Sequence, residues 1–215
     1  MKRSERYQYI LGYFSSVSPN VTTELEFGSA FQLLVATVLS AQCTDKRVNQ
    51  VTPDLFLSFP NAKAMSQTGE DEILSYISSI SYPNSKARHL LELSKKLVEK
   101  YEGEVPSTFD ELVSLPGVGR KTANVMLAVA FSTAAIPVDT HVYRVSHRLG
   151  LVPLSANTPY LVEKYLSKNI PSEMQSDAHH WLLLHGRYVC TSRKPHCGDC
   201  PFSDFCPKIM DFKNY

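Results

Sequence analysis

The chain has 215 residues, 43% of them hydrophobic, enough to bury a substantial core as one large domain or two small ones. A formal net charge of +1 carries no global polyanion signature, so nucleic-acid binding has to rest on where the charges lie. The first 20 residues hold no apolar run of signal-peptide length, and no stretch approaches a membrane span, so the expectation is a soluble, cytoplasmic protein with no membrane partner.

Apolar spacing is helical nearly throughout. Residues 29–42 (SAFQLLVATVLSAQ) are too apolar for a surface helix and predict a central one. Thr44 or Asp45 offers an N-cap for a helix running toward Phe56, with Pro53 as an irregularity near its end. Amphipathic helices are predicted next over 70–80, 85–101 and 108–114, then over 120–131, 139–149, 159–168 and 176–189. Turn signals at Pro106, Pro116 to Gly119 and Pro137 separate them. Strict alternation is absent, which makes the class all-α.

Charge is unevenly spread. Residues 86–100 carry five Lys or Arg against two Glu, and residues 119–150 carry four against the single acid Asp139. Arg187, Arg193 and Lys194 add an acid-free patch, whereas residues 70–72 are purely acidic. This segregation suits a monomer with one electropositive face, and equally a set of solvated helix faces.

Between two predicted helices lies LPGVGRKTA, residues 115–123. Gly117 and Gly119 permit positive φ and put no side chain in the way, so backbone N–H groups of Gly117, Val118 and Gly119 can close on a phosphate at the N-terminus of the next helix. That is a sequence-independent grip on one DNA strand, with Arg120 beside it. A plain helix connection also favours glycine, but two cations directly after Pro-Gly-Val-Gly weigh toward DNA.

After Val189 the composition shifts abruptly to Cys, Pro, Lys, Arg and Asp. This 17-residue segment is too polar to hold its shape by apolar burial, which predicts a bound metal centre. Cys190, Cys197, Cys200 and Cys206 are separated by six, two and five residues. Zinc sites usually join two Cys-rich knuckles, and here only Cys197 and Cys200 form a CxxC pair; cubane clusters accept four thiolates from one compact loop. Cys43 stands apart and is expected to be a small buried hydrophobe.

LPGVGRKTA, together with VDTHVYR from Val138, LSAQCTD, NSKA and HHWLLLHGRYVC, resembles the endonuclease III family of bifunctional DNA glycosylases within the helix-hairpin-helix superfamily, over nearly the whole chain. The resemblance implies two helical lobes with a catalytic cleft between them. One lobe is a bundle over about 21–134 with the hairpin motif near 108–131; the other combines 1–20 with 135–215 and a [4Fe-4S] cluster loop over 190–206. The Cys spacing coincides with that of the family's cluster, making the four cysteines its ligands.

The same resemblance makes Lys121 the nucleophile and Asp139 its carboxylate partner, acting on duplex DNA that contains damaged bases or abasic sites. An ordinary lysine is almost wholly protonated at neutral pH; burial, the neighbouring Arg120 and the positive end of a helix dipole are expected to lower its pKa. Asp139 also suits an N-cap of the following helix. Gln42 and Tyr82 fall where family members enter the duplex behind the flipped nucleotide. Tyr82 followed by Pro83 departs from the usual aliphatic-aromatic pair, and on residue type alone Tyr82 is a partly buried loop aromatic. Arg193 and Lys194, between the first two cysteines, fall where the family's loop meets phosphates.

Two other readings compete. A monofunctional mismatch glycosylase would share the hairpin, the aspartate and the cluster, but it would lack the lysine and need a further recognition domain for which the nine residues after Cys206 leave no room. A non-catalytic, metal-stabilised DNA-binding module would not require Lys121 and Asp139 together.

Overall fold

The computed structural model describes residues 1–19 and 21–209, and among these every regular element is helical. The chain divides into two compact units, Glu24–Phe131 and Met1–Thr23 joined with the segment from Ser132 onward.

In the unit spanning Glu24–Phe131, α2 (Ala30–Leu39) is the central helix. Leu33, Leu34, Val35, Ala36 and Leu39 are all fully buried, as a helix apolar on every side must be. It starts where Ser29 Oγ accepts from the Gln32 N–H at 3.2 Å. α3 (Asp45–Ser58) is capped by Thr44, whose Oγ1 accepts from the Arg47 N–H, and it continues through Pro53. α4 (Ala62–Ser66), α5 (Glu70–Ile77) and α6 (Pro83–Tyr101) follow, with α6 packed on α4, α5 and α2. Sequence periodicity does not predict the five-residue α4, which is too short to show a repeat; its local signal is Asn61, whose Oδ1 caps the Ala64 N–H at 3.0 Å. α7 (Phe109–Val113) and α8 (Arg120–Val129) close this unit, with α8 against α2 and α7.

The other unit holds α1 (Arg3–Val17), α9 (Thr140–Arg148), α10 (Pro159–Asn169) and α11 (Gln175–Tyr188), with short 3-10 turns at Ser172–Met174 and Cys197–Asp199. α1 buries Tyr7, Ile10, Leu11 and Phe14, a stripe at the three- and four-residue spacing of one helix face. The stripe is pinned by Trp181, which stacks on Phe14 at 5.8 Å between centroids and donates its indole N–H to the Ser18 carbonyl at 2.8 Å.

α9 and α11 meet closely at Gly186, where any Cβ would lie 2.9 Å from His141 Cβ and 3.0 Å from Val145 Cγ2. A glycine is therefore required there for space rather than for backbone freedom. It lets α11 bring the start of the cysteine segment against the helix that Asp139 begins.

Candidate functional site

The hairpin is built from two buried anchors and one left-handed glycine. Leu115 and Val118 are buried, and Val118 N–H donates to the Leu115 carbonyl at 3.1 Å. Gly117 has φ +75°, and a Cβ there would stand 3.0 Å from His89 Cβ on α6, so both conformation and space demand glycine. Gly119 does not use the positive φ that glycine permits: it is extended, at φ −94° and ψ 178°, and nothing lies within 4 Å of where a Cβ would stand. Its lack of a side chain instead leaves the first turn of α8 without a side-chain cap. Because the Val118 side chain is buried, Val118 offers only its backbone to a ligand.

Arg120 lies with its guanidinium 4.8 Å from the Phe109 ring centroid, tying the first residue of α8 to the first of α7. Lys121 comes next and is exposed. The burial expected around this amine is therefore not supplied by the free protein, because first-turn residues of α8 beyond the hairpin point away from the packed face that begins at Ala123.

Asp139 is the N-cap of α9. Its Oδ1 accepts from both the His141 and Val142 N–H groups at 2.8 Å. The cap uses one carboxylate oxygen, and the side chain is half-buried.

Gln42 and Tyr82 share an uncommon backbone state. Both are non-glycine residues at positive φ, 54° and 55°, and both are exposed, Tyr82 to 65%. Tyr82 is therefore not the partly buried loop aromatic that its residue type suggests: as N-cap of α6 it is turned outward by the left-handed turn. Cys43 is half-buried rather than buried, since it sits in this same exposed turn.

Cys190, Cys197, Cys200 and Cys206 all line one pocket, with Arg148, His185 and Pro195 among its other walls. Burial pushes the Cys200 thiol pKa up, and the other three cysteines add to that push, as thiols facing a common space must. Among the described residues no three His, Cys, Asp or Glu side chains converge on a single-ion position. Four thiols lining one pocket suit a cubane, whose four irons each take one thiolate, and the residues present fit such a group.

Two buried arginines hold the loop. Arg148 donates to the Thr191 carbonyl at 2.7 Å and to the Ser192 carbonyl at 2.8 Å, and Arg144 donates to the Cys190 carbonyl at 3.1 Å and the Gly186 carbonyl at 2.8 Å. From inside, fully buried Phe202 packs on Tyr13, Phe14 and His185. Arg193 and Lys194 are exposed on the loop that these contacts hold.

Comparison with known proteins decides the family. The profile of the HhH-GPD superfamily of base excision DNA repair proteins matches residues 35–172, and that of the iron-sulfur binding domain of endonuclease III matches residues 190–206. Endonuclease III of Rickettsia conorii is 44% identical over 95% of this chain and 96% of its own length; that of Escherichia coli K12 is 44% identical over 96% of each. The chain belongs to the endonuclease III family. A solved endonuclease III, trapped as a covalent intermediate with DNA in an estranged-adenine complex, superposes with a TM-score of 0.91 at 43% identity, covering 97% of both chains. This member of the endonuclease III family is accordingly a DNA-binding base-excision repair enzyme, a DNA glycosylase and abasic-site lyase, with a [4Fe-4S] cluster as cofactor.

Arg144, Arg148 and Lys86 count toward a basic face in the sequence, yet all three are buried, at 7%, 7% and 6% exposure. The electropositive surface is smaller than the linear charge count suggests, because these cations are engaged by main-chain carbonyls. The sequence gives no sign of this for the arginines: Arg144 and Arg148 share their face of α9 with Thr140, His141 and His147, the polar side of an amphipathic helix. No helix among the described residues is long and apolar enough to cross a membrane.

Proposed function

We propose that this enzyme excises damaged, mainly oxidised, pyrimidines from duplex DNA and cuts the strand 3′ to the resulting abasic site, with Lys121 and Asp139 as its catalytic residues. The observation that carries the reading is an exposed amine in the first turn of a helix whose N-terminus has no side-chain cap, directly after a hairpin with a left-handed glycine. Backbone N–H groups of Gly117, Val118 and Gly119, with Arg120, bind a phosphate of the damaged strand, which sets Lys121 beside the sugar it attacks.

The amine must be neutral to act, and in the free protein water surrounds it. Bound DNA supplies the burial that the free chain lacks. Lys121 Nζ forms a bond to C1′ as the C1′–base bond breaks, the base leaving with the electron pair and taking a proton. Loss of the amine proton and ring opening give an imine; removal of a C2′ proton then expels the 3′ phosphate. Asp139, one oxygen committed to the α9 cap, uses its carboxylate to move protons and to offset positive charge developing on the sugar.

Gln42 and Tyr82 fill the space left by the extrahelical nucleotide. Arg193 and Lys194 contact phosphates from the loop held by Cys190, Cys197, Cys200 and Cys206. The cluster those thiolates bind supplies a structural cross-link, since base removal and elimination transfer no net electrons. The enzyme works as a monomer, and its substrate places it in the cytoplasm on chromosomal DNA.

Borohydride reduction during turnover tests the assignment. A covalent protein–DNA adduct is expected with the wild type and none with Lys121→Ala; an undiminished adduct in that variant overturns the role of Lys121.

A further inference from the structure

One buried cation stands behind the two left-handed, exposed residues Gln42 and Tyr82. Lys86 is only 6% exposed, and its Nζ donates to the Leu39 carbonyl at 2.8 Å and the Ala41 carbonyl at 2.7 Å. Its own N–H donates to the Tyr82 carbonyl at 3.1 Å. The backbone of Lys86 thus secures the turn that presents Tyr82, while its side chain reaches 47 positions back along the chain to hold the residues leading to Gln42.

The position is demanding. A buried ammonium is strongly destabilising unless its donors are met. The carbonyls it meets lie at and just beyond the C-terminus of α2, where helical acceptors have no partner of their own and the dipole is negative. Burial pushes the Lys86 pKa down and the nearby Cys43 opposes that push. A methionine would fill similar space without the desolvation cost, so packing alone does not account for a lysine here. What the ammonium adds is a rigid tie across two turns, each held in a left-handed state that is strained for a non-glycine residue and persists only where its surroundings enforce it.

We propose that Lys86 is a positioning residue that locks Gln42 and Tyr82 into one preformed unit, so that both enter the duplex together when a nucleotide is extruded. The proposal rests on the reading of Gln42 and Tyr82 as the duplex-filling pair. Lys86 is unable to reach DNA from its buried site, and acts through the two turns. Its contribution is confined to substrates that have a duplex to open.

The test uses the cluster-loaded enzyme and one abasic site presented either in a duplex or in a single-stranded oligonucleotide. Lys86→Met is expected to lower the ratio of duplex to single-strand kcat/KM by about 10- to 100-fold, the size of effect that small misplacement produces. A 2-aminopurine opposite the abasic site is expected to lose the fluorescence rise on binding that reports its unstacking. Should Lys86→Met fail to fold, Lys86→Gln, which keeps a donor on a shorter stem, is read in the same way.

An unchanged ratio in a folded variant, or equal loss on both substrates, overturns the proposal. Gln42→Ala and Tyr82→Ala separate the positioning role from the reading beneath it: if neither lowers the ratio, the assignment of that pair to the duplex has failed. If they lower it and the Lys86 variants do not, the positioning role alone is wrong. In the double variant Lys86→Met with Gln42→Ala, non-additive losses are expected, because both changes remove the same device.

Discussion

The two helices that carry the proposed catalytic residues begin in opposite ways. α8 starts from Gly119 with no side-chain cap, leaving first-turn N–H groups for an outside anion, whereas α9 starts from Asp139, whose Oδ1 takes two of those donors itself. The difference shows how one fold assigns different tasks to chemically similar ends. In the function proposed above, a bare N-terminus recruits phosphate and brings Lys121 with it; a capped one immobilises a carboxylate. The supports differ as well, since the hairpin before α8 relies on Gly117 against His89, while α9 is backed by Gly186 on α11 and by its own arginines on the cysteine loop.

The sharpest way to break this comparison is Asp139→Asn. Asparagine caps about as well as aspartate, so the thermal midpoint is expected to stay near that of the wild type while activity falls by roughly 10²- to 10⁴-fold. Parallel melting and strand-cleavage assays check this; an active Asn variant makes Asp139 a cap and nothing more. Phe202→Ala attacks the support behind α9. Loss of this fully buried ring from beneath the cluster loop is expected to cost about 3–5 kcal/mol in denaturant unfolding, with bleaching of the cluster absorbance preceding loss of helix by circular dichroism.

Gly117→Ala strains the α8 entrance, where φ is +75° and His89 leaves no room, and is expected to cost about 1–3 kcal/mol of stability together with DNA affinity. The smallest and most pointed change is Gly119→Asp, which gives α8 the entrance that α9 has. Open space and an extended backbone accept the side chain, so stability is expected to rise by a few tenths of a kcal/mol, about the usual advantage of Asp over Gly at an N-cap. DNA affinity, measured by fluorescence anisotropy at fixed salt, is expected to fall because the carboxylate takes the donors the phosphate needs. Tighter binding by this variant would end the idea that the uncapped turn is a phosphate site.

Much of this is legible along the chain because the relevant signals are local. Helical periodicity, the caps at Thr44 and Asp139, the hairpin LPGVGRKTA and the spacing of the four cysteines all act within a few residues. The short α4 is not legible because five residues span barely more than a turn. Nor are the left-handed state of Gln42 and Tyr82 and the outward turn of Tyr82, since neither residue type demands positive φ. Which of the two uses of glycine Gly119 serves is not legible either, because a glycine serves equally well as a left-handed joint or as an absent side chain.

By itself, then, the order of residues determined the all-α class, the family and the chemical types available at the site, because helix formation, capping and thiolate ligation depend on near neighbours and side-chain identity. Only the tertiary structure decided which cations face water and which are buried on carbonyls: Lys86, Arg144 and Arg148 look like surface charge until segments about 40 or more positions away fold against them. Burial is a property of what packs on a residue, and that partner is brought there by the fold rather than by adjacency.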